Sequence, residues 1–265
     1  MKFSGLILGA VIAGALAAAP AVSATREEVT IENSMIVLRE LQSMPDLRIP
    51  DQLLARAEGI VILPANVKIG FGLGARFGGG VLLVRTGNRD WSNPSFVKTG
   101  AGSIGWQAGG QVADIVLVLT TRKSIEGITD GKLTLGGDAS VAAGPVGRTA
   151  MASTSLTFDS EIYAYSRTKG LFAGVSLEGS GIFINGKANR RFYGRDESAT
   201  AILSNTGKPP AQADELVNEI RRATSVAQQA ADDKAKPATE VAPAAQPATA
   251  QTYPLPDPEP GKEPN

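Results

Sequence analysis

The chain has 265 residues with 26 basic and 26 acidic side chains, so its formal net charge is zero and its overall charge indicates no particular partner. It contains no histidine and no cysteine. These absences exclude disulfides, a thiolate nucleophile, a Ser-His-Asp triad and a zinc site of the usual His/Cys type, and they favour a binding module over an enzyme.

The first 24 residues are typical of a secretory signal peptide. Lys2 precedes an uncharged apolar stretch from Phe3 to Ala19, and Val22-Ser23-Ala24 places small residues before a cleavage site at Thr25. The alternative is a transmembrane anchor, but the stretch is near the lower length limit for a span and consists largely of alanine and glycine. The signal looks bacterial, and we expect a periplasmic or secreted protein, open to peripheral membrane association.

Two helices are predicted at the start of the mature chain. Thr25 and Glu28 form a capping-box pattern, apolar residues follow at helical spacing, and Pro45 ends the first helix. A second, short helix begins at Ile49-Pro50-Asp51 and stops at Gly59.

A glycine-rich region that nevertheless favours strands follows, because most of the 30 glycines lie between Gly59 and Gly186 among apolar runs. Residues 68–77 alternate strictly, with Ile69, Phe71, Leu73, Ala75 and Phe77 on one face. The other face carries Lys68, three glycines and Arg76, so a chain segment or a ligand can lie directly on its backbone. We expect Gly78-Gly79-Gly80 to form a turn.

The remaining elements are shorter. We predict a helical turn or short helix at 122–128, a strand at 133–146, two or three strands between 161 and 184, and helices at 197–204 and 211–231. The last helix has a predicted buried stripe of Leu216, Val217, Ile220 and Val226. Helices, then sheet, then helices indicate an α+β fold: a glycine-rich antiparallel sheet, open or closed into a barrel, flanked by N- and C-terminal helices.

The domain organisation follows from these patterns: a signal peptide (1–24), one folded domain (25–231) and a tail (232–265). The tail is rich in proline and alanine and has almost no large apolar side chains, so we expect it to be disordered. It serves either as a spacer or as a proline-motif ligand for a partner.

Enzymatic and nucleotide-binding patterns are weak. Residues 100–105 match the G-x-G-x-x-G pattern, but no helix follows, so we expect no dinucleotide there. The core carboxylates are separated, which disfavours a carboxylate hydrolase. We interpret Asp114 as a buried hydrogen-bond acceptor for backbone N–H groups and Trp91 as a structural residue closing a turn over the core.

Three local strings are more specific: DWSNPS at 90–95, AGPVGR at 143–148 and YAYSRTKGLFAGVSLEG at 163–179. Together with NRRFYG at 189–194 and with Ile49-Pro50 at the start of the second predicted helix, these strings resemble the SYLF domain family. That family is known from bacterial exported proteins and from eukaryotic proteins of membrane trafficking. The resemblance spans roughly residues 29–216 and implies lipid binding.

The chain departs from the eukaryotic members in two respects. We expect no attached SH3 or FYVE domain, and the first helix is acidic, whereas the eukaryotic lipid contact is attributed to a basic amphipathic N-terminal helix. We therefore do not carry over phosphoinositide specificity or the actin binding described for fungal members.

The candidate lipid-binding residues are cations and aromatic rings. Cations suit phosphate groups, and amphipathic rings suit a membrane interface. The candidates are Arg167, Lys169, Arg190, Arg191, Lys68, Arg76, Tyr163, Tyr165 and Phe172. The alternative is that the rings are core residues and the cations a solvated face.

We therefore expect non-catalytic binding of phospholipid or an anionic membrane surface in the cell envelope, with no metal, cofactor or nucleic-acid partner. The alternative function is an envelope protein-protein interaction or scaffold module, in which the sheet or the tail contacts a protein.

Overall fold

The computed structural model confirms the α+β class, with a glycine-rich sheet between helices from both ends of the domain. It describes residues 24–44, 48–87, 90–131, 133–144, 158–168, 171–173, 177, 179–205 and 207–235. Residues 1–23 of the expected signal peptide and residues 236–265 of the expected tail lie outside this described part.

The first two helices form as predicted and pack on the sheet. Helix α1 (Arg26–Ser43) has the capping box at its start: the Glu28 N–H donates to Thr25 Oγ1 at 3.2 Å, and the Thr25 N–H donates to Glu28 Oε2 at 2.7 Å. Its apolar stripe is buried, including Ile31, Leu38 and Leu41. Helix α2 (Asp51–Ala55) follows as a single short element.

Two long antiparallel strands dominate the sheet. Strand β1 (Gly59–Val84) pairs with β2 (Ser95–Leu119) along their whole lengths, from Gly59 opposite Leu119 to Leu82 opposite Ser95. The predicted turn at Gly78-Gly79-Gly80 is wrong, because these residues continue β1. The predicted absence of a helix after Gly100–Gly105 is confirmed, since this segment lies within β2.

The two halves of β1 lie against each other, which curls the sheet into a half-barrel. The Arg85 N–H donates to the Glu58 carbonyl at 2.7 Å. A Cβ at Gly80 would lie 1.9 Å from the Ile62 carbonyl oxygen, and one at Gly78 would lie 3.2 Å from the Asn66 Cα. Glycine is needed at these positions because the two halves of β1 come too close for a side chain, and not because the chain turns there.

Four short strands complete the sheet: β3 (Val141–Ala143), β4 (Ile162–Thr168), β5 (Leu171–Ala173) and β6 (Gly181–Ile184). The order is β1-β2-β4-β3, with β5 on β4 and β6 on the other end of β2. The β3–β4 pair is parallel, so the sheet is not wholly antiparallel as expected. No pairing joins β1 to β3 among the described strands, and the described sheet is therefore open.

Both faces of the sheet carry a hydrophobic core. The first core packs α1, α2 and α6 (Ala211–Ala235) against Ile60, Ile62, Val81 and Leu83. The second packs α3 (Arg122–Thr129) and the segment 133–139 against alternate residues such as Val61, Leu63 and Leu82. Because strand side chains alternate, the two cores use residues of opposite parity along each strand.

The C-terminal helices differ from the expectation in three details. Helix α4 (Gly186–Tyr193) was not predicted, while α5 (Ala199–Ser204) was. Helix α6 runs to Ala235 and buries Leu216, Val217 and Ile220, but Val226 is 57% exposed, so its predicted burial is wrong. No helix in the described part of the chain is long and apolar enough to cross a bilayer.

Candidate functional site

Arg167 is held in a network that joins the sheet to α1. Its guanidinium donates from Nε to Asp114 Oδ2 at 2.9 Å and is also ion-paired with Glu40 of α1. The Arg167 side chain is only 17% exposed. Two carboxylates therefore neutralise this candidate cation, and it stabilises the helix–sheet contact.

Asp114 has a second structural task that agrees with its interpretation from sequence. Its Oδ1 accepts the Ala65 N–H at 2.9 Å. Ala65 has a φ of 50° at an irregularity of β1, between Leu63 and Asn66. Asp114 thus fixes a bulge in which a non-glycine residue adopts the left-handed region.

The arginines of α4 are more exposed, but each has a partner. Arg190 is paired with Asp196 at 2.9 Å, and Arg191 Nε donates to Glu27 Oε1 of α1 at 2.9 Å. The hydrogen bond to Glu27 raises the pKa of Arg191 above its ordinary value. Their side chains remain 62% and 57% exposed, and a role in lipid binding stays a prediction.

Two of the three candidate aromatic rings, those of Tyr163 and Tyr165, belong to the core, which was the alternative interpretation. Tyr163 and Tyr165 are 6% and 2% exposed. Burial raises the pKa of Tyr165, and a Cβ at Gly144 would lie 2.1 Å from its ring, so Gly144 makes room for it. These rings are not available at a surface. Lys169 and the side chain of Phe172 lie outside the described residues.

Lys68 and Arg76 are brought together by the structure. They line one small pocket with a cavity volume of about 20 Å³, which is room for about one water molecule. Its other lining residues come from β1, β2 and β4: Asn66, Gln111, Ala113, Ile115 and Ser166. We call this set of residues the basic pocket. The sequence prediction that these two cations share a face is thus confirmed.

The basic pocket contains polar atoms that are buried without a partner. Arg76 Nη1 and Ser166 Oγ are inaccessible to solvent, and neither has a hydrogen-bond partner among the described residues. Burial lowers the pKa of Arg76 below its ordinary value. Ser166 itself is 1% exposed. Buried polar groups of folded proteins are nearly always satisfied, so this pair requires an explanation.

The opposite side of the same strands is not covered by any element in the described part of the chain. Large apolar residues are exposed there to between 37% and 55%, and one cation lies among them. These residues, which we call the open face, are Ile69, Phe77, Lys98, Val112 and Phe183. By strand alternation they continue the side of the sheet that α1, α2 and α6 cover elsewhere.

A bulge explains why sequence reasoning missed the open face. Before the irregularity at Leu63/Asn66, the odd-numbered Val61 and Leu63 lie in the second core. A bulge inserts one residue and reverses the alternation, so Asn66 and Lys68 take that side and Ile69 is turned outward. The apolar alternation of 68–77 was visible in the sequence, but not which side would be covered.

The arrangement offers little for catalysis. In the part of the chain that the structure describes, no group of three or more carboxylates is placed to hold a metal ion. Asp114 and Glu161 instead serve backbone N–H groups, at Ala65 and Ser140.

Comparison with known proteins agrees with the sequence resemblance. Residues 100–223 match the family described as "Ysc84: Las17-binding protein actin regulator". Over 194 residues the chain is 39% identical to "Protein YSC84" of Saccharomyces cerevisiae, covering 72% of this chain and 41% of that protein.

Two further relatives give similar values. The yeast "LAS seventeen-binding protein 3" is 40% identical over 174 residues, covering 64% of this chain and 38% of that protein. The human "SH3 domain-containing YSC84-like protein 1" is 37% identical over 186 residues, covering 68% of this chain and 54% of that protein. The chain thus spans about half or less of these relatives' lengths. Through the domain that these matches share, it belongs to the Ysc84 (SYLF) domain family.

Proposed function

We propose that the protein binds anionic phospholipid membranes without catalysis, through the open face. The observation that carries this proposal is the concentration of exposed apolar residues: four of the seven large apolar residues exposed in the described part of the chain lie on this one face. Exposed apolar groups clustered on one surface indicate an interaction site. The acyl boundary of a membrane suits such side chains, and Lys98 suits its anionic headgroups.

The charge distribution supports an anionic partner. Between residues 59 and 113 there is one acid, Asp90, and it is engaged by Arg221 through hydrogen bonds of 2.6 and 3.0 Å. Lys68, Arg76 and Lys98 have no carboxylate partner among the described residues. Each basic group near an anionic bilayer contributes about 1 kcal/mol. Attraction of this kind is screened over about 8 Å at physiological salt, so binding should weaken as salt rises.

Flotation with vesicles tests this proposal. The purified protein should float with phosphatidylglycerol-containing vesicles and much less with pure phosphatidylcholine vesicles. Phe77→Ser and Val112→Ser should each reduce flotation several-fold, because a half-exposed apolar side chain contributes on the order of 1 kcal/mol when it is buried.

The chain offers a matched control. Val226 is 57% exposed, close to the 55% of Val112, but it belongs to α6 and not to the strands that form the open face. Val226→Ser should therefore float like the parent protein. Equal flotation of the Val112→Ser, Phe77→Ser and Val226→Ser variants would show that the open face is not the contact surface.

A protein partner is the second candidate, and the names of the relatives favour it. The family description and the yeast relative both name binding to Las17. A protein occupying the open face would bury the same apolar residues without requiring anionic lipid. Failure to float with every vesicle composition, at low salt, would favour this candidate.

We further propose that the binding takes place in the cell envelope, because residues 1–24 have the pattern of an export signal. Cell fractionation followed by N-terminal sequencing tests this: the periplasmic protein should begin at Thr25. Recovery of the uncleaved chain in the cytoplasm would overturn the proposal.

A further inference from the structure

The open face contains a groove whose floor is bare backbone. Gly79, Gly100 and Gly102 are exposed on this side of β1 and β2. A Cβ at Gly100 or Gly102 would have no atom within 4 Å among the described residues, so crowding does not explain glycine there. The space above these two residues is open, and a chain segment can lie directly on the strand.

Two aromatic rings border this groove. Phe77 of β1 is paired opposite Gly100, and Gly100 is paired on its other side with Gly181 of β6. A Cβ at Gly181 would lie 2.5 Å from the ring of Phe183, so this ring lies over Gly181. Strands β1 and β6 are two strand spacings apart, about 10 Å, which leaves room for one extended chain between the two rings.

The groove carries positive charge. Lys98 lies opposite Phe183 across the β2–β6 pair. Lys187 is exposed in α4, which starts beside the same strand because the Asn185 N–H donates to the Phe96 carbonyl at 2.8 Å. Neither lysine is paired with a carboxylate in the described part of the chain. The groove therefore suits an extended, acidic segment that also carries apolar side chains.

The tail of the chain contains a segment of this kind. Residues 253–260 have the sequence YPLPDPEP, with proline at every second position. Proline fixes its own φ and keeps the preceding residue extended, so we expect this segment to be extended before it binds and to lose little entropy on binding. Tyr253 is the only aromatic residue after residue 235, and Asp257 and Glu259 make the segment acidic.

The tail is long enough to reach the groove. It begins where α6 ends, at Ala235, and residues 236–252 separate this point from the segment. Fully extended, this stretch spans at most about 60 Å, whereas α6 is about 38 Å long. The tail can therefore return along the whole helix to the sheet.

We propose that residues 253–260 of the chain's own tail bind in the groove of the open face and compete with a membrane for that face. Tyr253 and Leu255 contact the two rings, while Asp257 and Glu259 face the two lysines. The competition rests on the proposed function, since it requires the membrane to use the same face, but the contact between tail and groove does not. The tail acts as an autoinhibitory segment that an anionic bilayer displaces.

Disulfide trapping in the full chain tests the contact, because the protein has no cysteine of its own. Gly100→Cys combined with Leu255→Cys should give an intramolecular disulfide under mild oxidation at low protein concentration, detected by mass spectrometry. Gly87→Cys combined with Leu255→Cys is the matched control. Gly87 also has open space around it, and it lies in the loop that contacts α6 through the Asp90–Arg221 pair. A tail without a preferred site should form both disulfides at similar rates.

We expect the disulfide between positions 100 and 255 to form about tenfold faster than the control, since a bound segment has a higher effective concentration than a free one. Gly102→Cys repeats the measurement at a second position with equally open space, in case Gly100→Cys disturbs the groove. Rates equal to the control at both positions would overturn the inference. Disulfide-linked dimers in place of the intramolecular product would also overturn it, because the tail would then occupy a second copy.

Flotation of full-chain variants tests the competition. With vesicles of low phosphatidylglycerol content, Tyr253→Ser should increase flotation several-fold, because it weakens the contact that covers the open face. Val241→Ser is the control: it changes an apolar residue of the tail outside the segment and should float like the parent protein. Selective disulfide formation with flotation unchanged by Tyr253→Ser would overturn the competition.

The two measurements separate this inference from the proposed function. Selective disulfide formation without flotation of any variant would retain the tail contact and refute the membrane proposal. Equal flotation of Tyr253→Ser and the parent, together with equal rates of disulfide formation, would refute the tail contact and retain the membrane proposal.

Discussion

The close contact between the two halves of β1 makes Gly80→Ala a sharp test of the fold. A Cβ at Gly80 would lie 1.9 Å from the Ile62 carbonyl oxygen and 2.9 Å from both the Ile62 carbonyl carbon and the Leu63 Cα. All three are backbone atoms of residues that are at most 1% exposed. The strand must therefore move by about 1 Å, because non-bonded atoms at such distances repel strongly and interiors are close-packed.

The expected cost is large compared with the whole stability of a domain. Overpacking a well-packed core costs about 1–3 kcal/mol, and a backbone contact that no side-chain rotation can relieve places Gly80→Ala at about 3 kcal/mol or more. With an m value of about 3 kcal/mol per molar urea, such a loss lowers the denaturation midpoint by about 1 M. Folded domains have about 5–15 kcal/mol of stability, so the variant should still fold.

The neighbouring residue provides the matched control. The nearest atom to a Cβ at Gly79 is the Val97 carbonyl oxygen at 3.7 Å, which is an ordinary contact. Gly79→Ala should be neutral or stabilising by about 0.5 kcal/mol, since alanine reduces the entropy of the unfolded chain. Urea denaturation followed by tryptophan fluorescence measures both variants, because Trp91 is buried. Free energies of unfolding within about 0.5 kcal/mol of each other would refute the contact between the two halves of β1.

Two further predictions concern the contact between α6 and the sheet. Thr224→Val should destabilise the protein by about 1–3 kcal/mol because it leaves a buried donor unsatisfied: Trp91 Nε1 donates to Thr224 Oγ1 at 2.9 Å. The exposed Ser225→Ala is the control, and equal urea midpoints for the two variants would contradict the prediction. The hydrogen bond from Arg221 holds the pKa of Asp90 below its ordinary value of 3.8. The Asp90–Arg221 pair therefore stabilises the folded state fully at pH values above 3.8, and this stabilisation is lost as pH falls through the depressed pKa of Asp90. Asp90→Asn should therefore lower the free energy of unfolding by about 0.5–1 kcal/mol at neutral pH. In thermal melts between pH 5 and pH 2, the melting temperature of this variant should fall less than that of the parent. Parallel pH profiles for the two proteins would contradict the prediction.

The sequence alone determined the elements whose signals are local. The capping box at Thr25 and Glu28 fixed the start of α1, because its hydrogen bonds join residues three apart. Apolar spacing was sufficient for most of α6, and the short helices α3 and α5 were also predicted from the sequence. The specific strings between residues 90 and 194 indicated the family, and the alternation of 68–77 placed Lys68 and Arg76 on one face.

Only the tertiary structure decided what each face meets. Gly78-Gly79-Gly80 has the composition of a turn, and its extended form depends on Ile62 and Asn66, which lie more than ten residues away in sequence. The cations Arg167 and Arg191 were indistinguishable from Arg76 in sequence, because their partners Asp114, Glu40 and Glu27 come from distant elements. Burial and charge pairing depend on contacts between distant residues, so no local pattern could separate an arginine paired with carboxylates from one that has no carboxylate partner among the described residues.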